Sequence, residues 1–294
     1  MSIICPNCNS SDIKFELALK DYFLSQEEFS VYTCNDCKIS FTHPFPAETE
    51  LGRYYASDKY LSHDDSKRGL IPFLYRQIKN INISTKYHQV TKALKPGMLL
   101  DYGCGIGDFL VYAKQNGWMV DGVEPNSSAR EIASQKLDTQ VFDVNQLKNF
   151  PDAHFDLITL FHVLEHVYSF NKLLPELVRI LKPNGRLVIA LPNKDSFDAR
   201  YYKQYWAGWD VPRHLWHFNP ESISLLGQNF QLQKLHQYPM WWDAFYVSLL
   251  SEQYKKSSLA LLQAFVIGLL SNFKALFNSQ YSSLVYVFKN SLNN

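Results

Sequence analysis

From about residue 98 onward the chain alternates two hydrophobic periods. Apolar runs of strand length lie at residues 99–101, 118–124, 139–143, 155–161, 186–191, 230–238 and 283–289. Between them, residues 127–136, residues 173–181 and a segment opening near Pro220 carry apolar positions every three to four residues, as amphipathic helices do. Lys182-Pro183-Asn184-Gly185 supplies a stop and a turn after the second of these helices. Strands alternating with helices predict an α/β domain with a largely parallel sheet.

Before residue 96 the pattern is different. Phe29-Ser30-Val31-Tyr32-Thr33 alternates as a half-buried strand does. Residues 67–95 interleave Leu70, Ile71, Phe73, Leu74, Ile78 and Ile81 with Lys67, Arg68, Arg76, Lys79, Lys86, Lys92 and Lys95, and contain no acid. This predicts a basic amphipathic segment, either a solvated helix against the core or a face for an anionic substrate or a membrane surface. The chain therefore divides into a front module over 1–46, a linker with basic helices over 47–95 and the α/β domain over 96–294. A helical insertion over 244–280 precedes the final strand. Its most apolar stretch, residues 259–270, carries Gln263 and is too short to cross a bilayer, which leaves helix packing or peripheral membrane contact.

With 294 residues, 46% of them hydrophobic, the chain can bury a large core and carry a smaller appendage. A net charge of +1 supplies no global field to recruit nucleic acid. Cys5 and Cys8 stand where the apolar stretch of a signal peptide would run, so the expectation is a cytoplasmic protein without a transmembrane segment.

The cysteines change the picture of the front module. Cys5-Pro6-Asn7-Cys8 and Cys34-Asn35-Asp36-Cys37 form two C-x-x-C knuckles with 25 residues between them. Four thiolates so placed make a closed tetrahedral structural zinc site, which holds a fold together and leaves no open position for chemistry. Disulfides are the alternative, disfavoured in a reducing compartment. A ribbon can also bind nucleic acid, but residues 5–37 hold few basic side chains. Cys104 reads as a small packing residue.

The densest signal is Leu99-Leu100-Asp101-Tyr102-Gly103-Cys104-Gly105-Ile106-Gly107-Asp108, a strand turning tightly into a helix. The dinucleotide fingerprint G-x-G-x-x-G places its third glycine where Asp108 stands, so the register is wrong for NAD. Asp101 and Asp108 would repel a pyrophosphate and suit a cofactor carrying an ammonium and a sulfonium.

These residues resemble motif I of the class I S-adenosylmethionine-dependent methyltransferases, D-x-G-x-G-x-G. Residues 155–167 and the L-K-P-x-G-x-L-x-I pattern from Leu181 to Ile189 resemble members similar to the ubiquinone O-methyltransferases, and the likeness spans residues 95–240. It implies a Rossmann-like seven-stranded sheet, mostly parallel with one antiparallel strand. It also implies that Asp101, Gly103, Gly105 and Gly107 hold S-adenosylmethionine. Glu124, 23 residues past Asp101, would accept both ribose hydroxyls. Asp143 would lie on the adenine side, with Phe161 and His162 beside the adenine and the methyl donor. His166 and Glu165 would stand at the acceptor mouth, with His166 as a base.

Some members bind a divalent cation through the corresponding acid-and-histidine group, whose first acid is replaced here by His162. The run His162-x-x-Glu165-His166 also spells a zinc-peptidase signature, which needs both histidines on one helical face. His162 at a strand end, inside a glycine-loop fold, argues against that. No N/D-P-P-Y/F tetrapeptide follows the fourth strand, which favours oxygen or carbon acceptors over adenine or amide nitrogens. The Pro-rich exit His43-Pro44-Phe45-Pro46 and the pair Tyr54-Tyr55, behind a zinc ribbon, resemble the front ends of bacterial methyltransferases of sugars and cell-surface polymers.

Residues 192–219 make a long loop holding Phe197, Tyr201, Tyr202, Tyr205, Trp206, Trp209, Trp216 and Phe218. Loops of that length are usually lids or binding loops. Its ring faces suit a sugar or a lipid-linked head group, and Arg213 beside His214 offers a bidentate grip on phosphate or carboxylate. The sequence thus points to methyl transfer onto oxygen or carbon of a small, sugar-derived or phosphate-bearing acceptor. The alternatives are an RNA methyltransferase and a non-catalytic module that binds S-adenosylmethionine or docks a partner.

Overall fold

The computed structural model describes residues 3–55 and 70–290, with the backbone alone described over 70–80. Asp58, Lys59, Tyr60, Lys67 and Arg68, and the side chains of the basic segment up to Lys79, lie outside the described residues. The front module is an antiparallel meander of β1 (Ile13–Lys20), β2 (Glu28–Cys34) and β3 (Ser40–His43). Asp21 builds the β1–β2 turn, because its carboxylate accepts the backbone N–H groups of Phe23, Leu24 and Ser25.

The long helix α1 (Leu70–Thr91) leads into β4 (Met98–Tyr102), α2 (Asp108–Gln115), β5 (Met119–Val123) and α3 (Ser127–Leu137). Then follow β6 (Phe155–Phe161), α4 (Phe170–Ile180), β7 (Leu181–Pro192) and the short α5 (Phe197–Tyr202). The chain closes with β8 (Trp216–His217), α6 (Pro220–Asn229), β9 (Leu232–Pro239), α7 (Asp243–Tyr254), α8 (Ala260–Asn278) and β10 (Ser283–Asn290).

Local chemistry sets several helix starts. The Asn126 side chain accepts from the Ala129 N–H at the head of α3. Asn219 and Ser222 form a reciprocal capping box at α6, with Pro220 in the first turn.

The main sheet runs β5-β4-β6-β7-β10-β9, with the first four strands parallel and β10 antiparallel to both neighbours. It has six strands, not the seven expected. Residues 139–143 contribute one bridge, Val123 to Phe142, because a left-handed Asp138 precedes them and Asp143 caps the 3-10 turn that follows. The expected turn at Lys182-Pro183-Asn184-Gly185 is instead part of β7. Its pairing with β6 jumps from Phe155↔Leu181 to Leu157↔Arg186, so a bulge absorbs the extra residues, and Lys182 Nζ ties it to Asp156 at 2.7 Å.

The front module is joined to the rest by a shared sheet. β8, from the aromatic loop, pairs with β3 through Ser40↔His217 and Phe41↔Trp216. Cys34, Ile39 and Phe41 lie in one apolar cluster with Leu100, Phe155 and Trp216, so ribbon and α/β core are a single hydrophobic interior. The helical insertion is two helices, α7 and α8, packed on each other. At 19 residues α8 exceeds the apolar stretch read from sequence, and it is the one helix among the described residues long and apolar enough to cross a membrane.

Candidate functional site

The donor side grows from the end of β4. Gly103 and Gly105 adopt positive φ, +78° and +54°. A Cβ on Gly103 would strike Val163, whereas one on Gly105 would meet no atom within 4 Å, which marks the open side of the cradle. Glu124, at the tip of β5, braces that loop: its Oε2 accepts the Gly105 N–H and its Oε1 the Asn126 N–H, both at 2.9 Å. Burial raises its carboxyl pKa, against the pull of those two N–H groups.

Asp101 is buried and accepts the Thr159 hydroxyl at 2.6 Å. Burial pushes its pKa up to about 7, with the Thr159 bond and the Lys86 ammonium opposing. Asp143 pairs with Arg130 at 3.1 Å and accepts from Asn145. Phe161 packs edge-on to Phe109, and Lys86 Nζ sits 5.1 Å from its ring centroid.

His162 ends β6 in a left-handed conformation, φ 57°, so its ring swings out of the sheet. Its two ring nitrogens lie 3.4 Å from Glu165 Oε1 and 3.1 Å from Asp243 Oδ2. Burial pulls the imidazole pKa down, but the two carboxylates outweigh it and hold the group at about 9. This strand-end geometry, with His166 in a 3-10 turn, removes the helical face that the zinc-peptidase signature requires.

The expected acceptor side is assembled from distant segments. Glu165 is 1% exposed and neither of its carboxylate oxygens has a well-formed hydrogen bond. Its backbone carbonyl accepts the Leu215 N–H, which fixes the aromatic loop against the turn. His166 Nδ1 lies 3.0 Å from both the Arg213 carbonyl and the Tyr55 hydroxyl. A carbonyl only accepts, so Nδ1 carries the proton and Nε2 the lone pair. The same logic applies to His214, whose Nδ1 is 2.9 Å from the Gly208 carbonyl. The two rings meet edge to face at 4.6 Å, and the donor atoms of Glu165, His166 and His214 lie within 4.8 Å of one another, so the trio could hold a cation as well as move a proton. Burial, then the nearby His214, lowers the His166 pKa to about 4.

Arg213 does not offer the free grip expected of it. Its guanidinium is buried and donates to Asp210, to Asp21 and to the Tyr54 carbonyl, which uses its donors within the fold. The aromatic loop is corrected likewise. Trp206, Trp209 and Trp216 are buried, and their indole N–H groups donate to Asp198, Lys203 O and Val167 O, so most of the loop is packing between ribbon and core.

Sequence reasoning missed Lys86, Tyr55, Asp210 and Asp243 as site residues. Lys86 stands out in the sequence as one cation of a basic segment, Tyr55 as one of a linker pair and Asp210 as the head of the polar-aromatic run 210–218, without a role for any of them; Asp243 carries no local signal. Near Asp101 and Asp243, Lys86 lines a cleft with Asn82, Gln89, Met240 and Trp242.

The four front cysteines fit a zinc ion. Cys5 and Cys37 sulfurs are 3.7 Å apart and Cys8 and Cys34 sulfurs 3.5 Å, against roughly 3.8 Å for the edge of a tetrahedron with 2.3 Å Zn–S bonds.

A methyltransferase-domain family model matches residues 78–237, more than half of the chain. The chain belongs to the methyltransferase domain family. It is 38% identical over 104 residues to norajmaline N-methyltransferase of Rauvolfia serpentina, covering 32% of this chain and 36% of that protein. It is 27% identical over 126 residues to the ubiquinone biosynthesis O-methyltransferase of Coxiella burnetii, covering 41% and 53%. The chain thus spans about a third to a half of the length of these curated relatives. A structure of geranyl diphosphate methyltransferase in complex with SAM superposes with a TM-score of 0.52 at 15% identity, over 77% of this chain and 93% of that one. That likeness concerns the fold alone. The family member described here adds a cysteine ribbon that completes its sheet with a strand of the methyltransferase domain.

Proposed function

We propose that this methyltransferase moves the methyl group of S-adenosylmethionine onto an oxygen or carbon of a small acceptor, sugar-derived as the resemblance of its front end implies, with His166 as general base. When bound, S-adenosylmethionine supplies an electrophilic methyl on a sulfonium. Gly105 and Glu124 would cradle its ribose side, and Asp101 and Lys86 would set the charge beneath it. The observation that carries the reading is the His166 imidazole, neutral at pH 7, oriented through Nδ1 by the Arg213 carbonyl and left with an Nε2 lone pair. Holding acceptor and sulfonium in line would supply most of the rate, and His166 would take the acceptor proton. The internal pairing of Arg213 favours a neutral hydroxyl over a phosphate as the group recognised.

The test is His166→Ala in the full-length protein with labelled S-adenosylmethionine and a panel of sugar acceptors. Turnover should fall about 100-fold or more while S-adenosylmethionine affinity measured by calorimetry holds. The acid limb of the wild-type rate profile should lie below pH 5 and vanish in the variant. Turnover unaffected by a chelator that leaves the ribbon zinc in place distinguishes proton transfer from a cation held by Glu165, His166 and His214. A variant with wild-type turnover removes His166 from the mechanism.

A further inference from the structure

The outward side of α8 is built the wrong way round for a helix facing water. Apart from Ile267, its inner side is small and polar: Ala264, Gly268, Ser271, Asn272 and Ala275 are buried, Ser271 donates to Asp198 at 2.7 Å, Asn272 donates to the Trp241 carbonyl, and a Cβ on Gly268 would strike the Phe245 ring. Its outer side is large and apolar. Leu261, Leu262, Phe265, Leu269, Phe273 and Phe277 are each 47–79% exposed, recurring at helical spacing along one face. Trp242, which caps α7, and Tyr246 within it are 39% and 56% exposed, and Trp242 reaches the Phe265 ring through Phe245. Contiguous apolar surface of this kind marks an interaction site in a soluble fold.

Charge decides the occupant. From residue 253 to residue 294 there is no aspartate or glutamate, while Lys256 and Lys274 are exposed and Lys255 is paired with the buried Glu252 of α7. The carboxylates of α7, Asp243 and Glu252, are paired internally with His162 and Lys255, so a two-fold contact between copies would set exposed lysines against lysines, whereas an anionic lipid surface complements them. Aromatic residues with polar edges, such as Trp242 and Tyr246, suit the headgroup level. The side-chain ties of Ser271 and Asn272 hold α8 along the domain, which sets it parallel to a surface and not across it.

We propose that the outer face of α7 and α8 docks this protein on an anionic lipid bilayer, with α8 lying in the interfacial plane. Because Asp243 at the head of α7 pairs with His162, docking sets the candidate site beside the membrane. The proposal does not depend on the acceptor.

Full-length protein sedimented with vesicles of phosphatidylcholine alone, or mixed with phosphatidylglycerol, tests it. Binding should be confined to the mixed vesicles and weaken as salt rises. Phe265→Glu with Phe273→Glu should weaken it about tenfold or more, with S-adenosylmethionine affinity unchanged as the check on folding. Lys256→Glu with Lys274→Glu should weaken it to a smaller degree. Equal binding to both vesicles would overturn the anionic requirement, and no sedimentation with either would overturn the proposal. A concentration-dependent dimer that ignores vesicles and is split by Phe265→Glu with Phe273→Glu would assign the face to a second copy instead.

Discussion

The proposed donor side takes Asp101, Gly105 and Glu124 from 24 consecutive residues, whereas the proposed acceptor side gathers Asp21, Tyr55, Glu165, His166, Asp210, Arg213 and His214 from four separate parts of the chain. In the first, a strand, a tight turn and the neighbouring strand suffice, and Glu124 is held by the loop it serves. In the second, each group is placed by another that is remote in sequence: Arg213 links the β1–β2 turn at Asp21 to Asp210, and its carbonyl sets the tautomer of His166. Damage to the ribbon should therefore reach the acceptor side and spare the donor side.

The largest break is expected from the ribbon. Elemental analysis should find one zinc per chain, and Cys34→Ser should remove it. Structural zinc contributes about 10 kcal/mol or more in small modules, so hydrogen exchange should rise first across β1 to β3 and then across β8, which shares their sheet. S-adenosylmethionine binding should persist. Loss of donor binding in step with the ribbon would mean that the two sides are one cooperative unit.

Next comes Arg213→Met. It leaves Asp21 and Asp210 without their cation in a buried setting, which costs about 3–5 kcal/mol in chemical denaturation. Pairing the change with Asp21→Asn should recover part of the loss. A stable Arg213→Met protein with a specific loss of acceptor binding would restore Arg213 as a substrate contact.

Glu124→Ala should weaken S-adenosylmethionine binding by about 2–4 kcal/mol if Glu124 takes the ribose hydroxyls as proposed, since those contacts and the brace on Gly105 would go together. Stability should change less, and the acceptor histidines should be untouched.

The smallest effect is electrostatic. His162 has its pKa raised to about 9 in the folded protein by Asp243 and Glu165 against the cost of burial, from 6.5 when unfolded. Its contribution to stability is fully present below pH 6.5 and is lost as pH rises through 9. It should be on the order of 1 kcal/mol, because the ring is partly exposed and solvent screens the pairs. His162→Gln should flatten that part of the stability profile.

The parts legible in the sequence are those that local periodicity and short spacing encode. β6 was read to its terminal residues, α3 to within one, and the register of Asp101, Gly105 and Glu124 followed from one strand-turn-helix unit. The two C-x-x-C knuckles carried their geometry in their spacing. The strand expected over residues 139–143 forms a bridge only, because a left-handed Asp138 precedes it and its own last residue, Asp143, caps the turn that follows. The aromatic loop misled for a different reason: rings suited to a substrate are equally suited to an interior. Trp206 and Trp216 became core once the ribbon was laid over them, while the insertion presented Leu261 and Phe265 outward.

Sequence by itself determined the strand-helix order, the glycine cradle and the cysteine quartet, because each is written within a few turns of chain, where the backbone fixes which side chains meet. Only the tertiary structure decided that β8 completes the ribbon sheet, that Arg213 is an internal tie, and that Tyr55, His166 and His214 form one contact cluster. Those outcomes depend on contacts between residues more than a hundred positions apart, such as Tyr55 with His166 and Thr42 with the His214 carbonyl. Local pattern leaves such pairings open, and the burial of ribbon and domain in one hydrophobic interior selects among them.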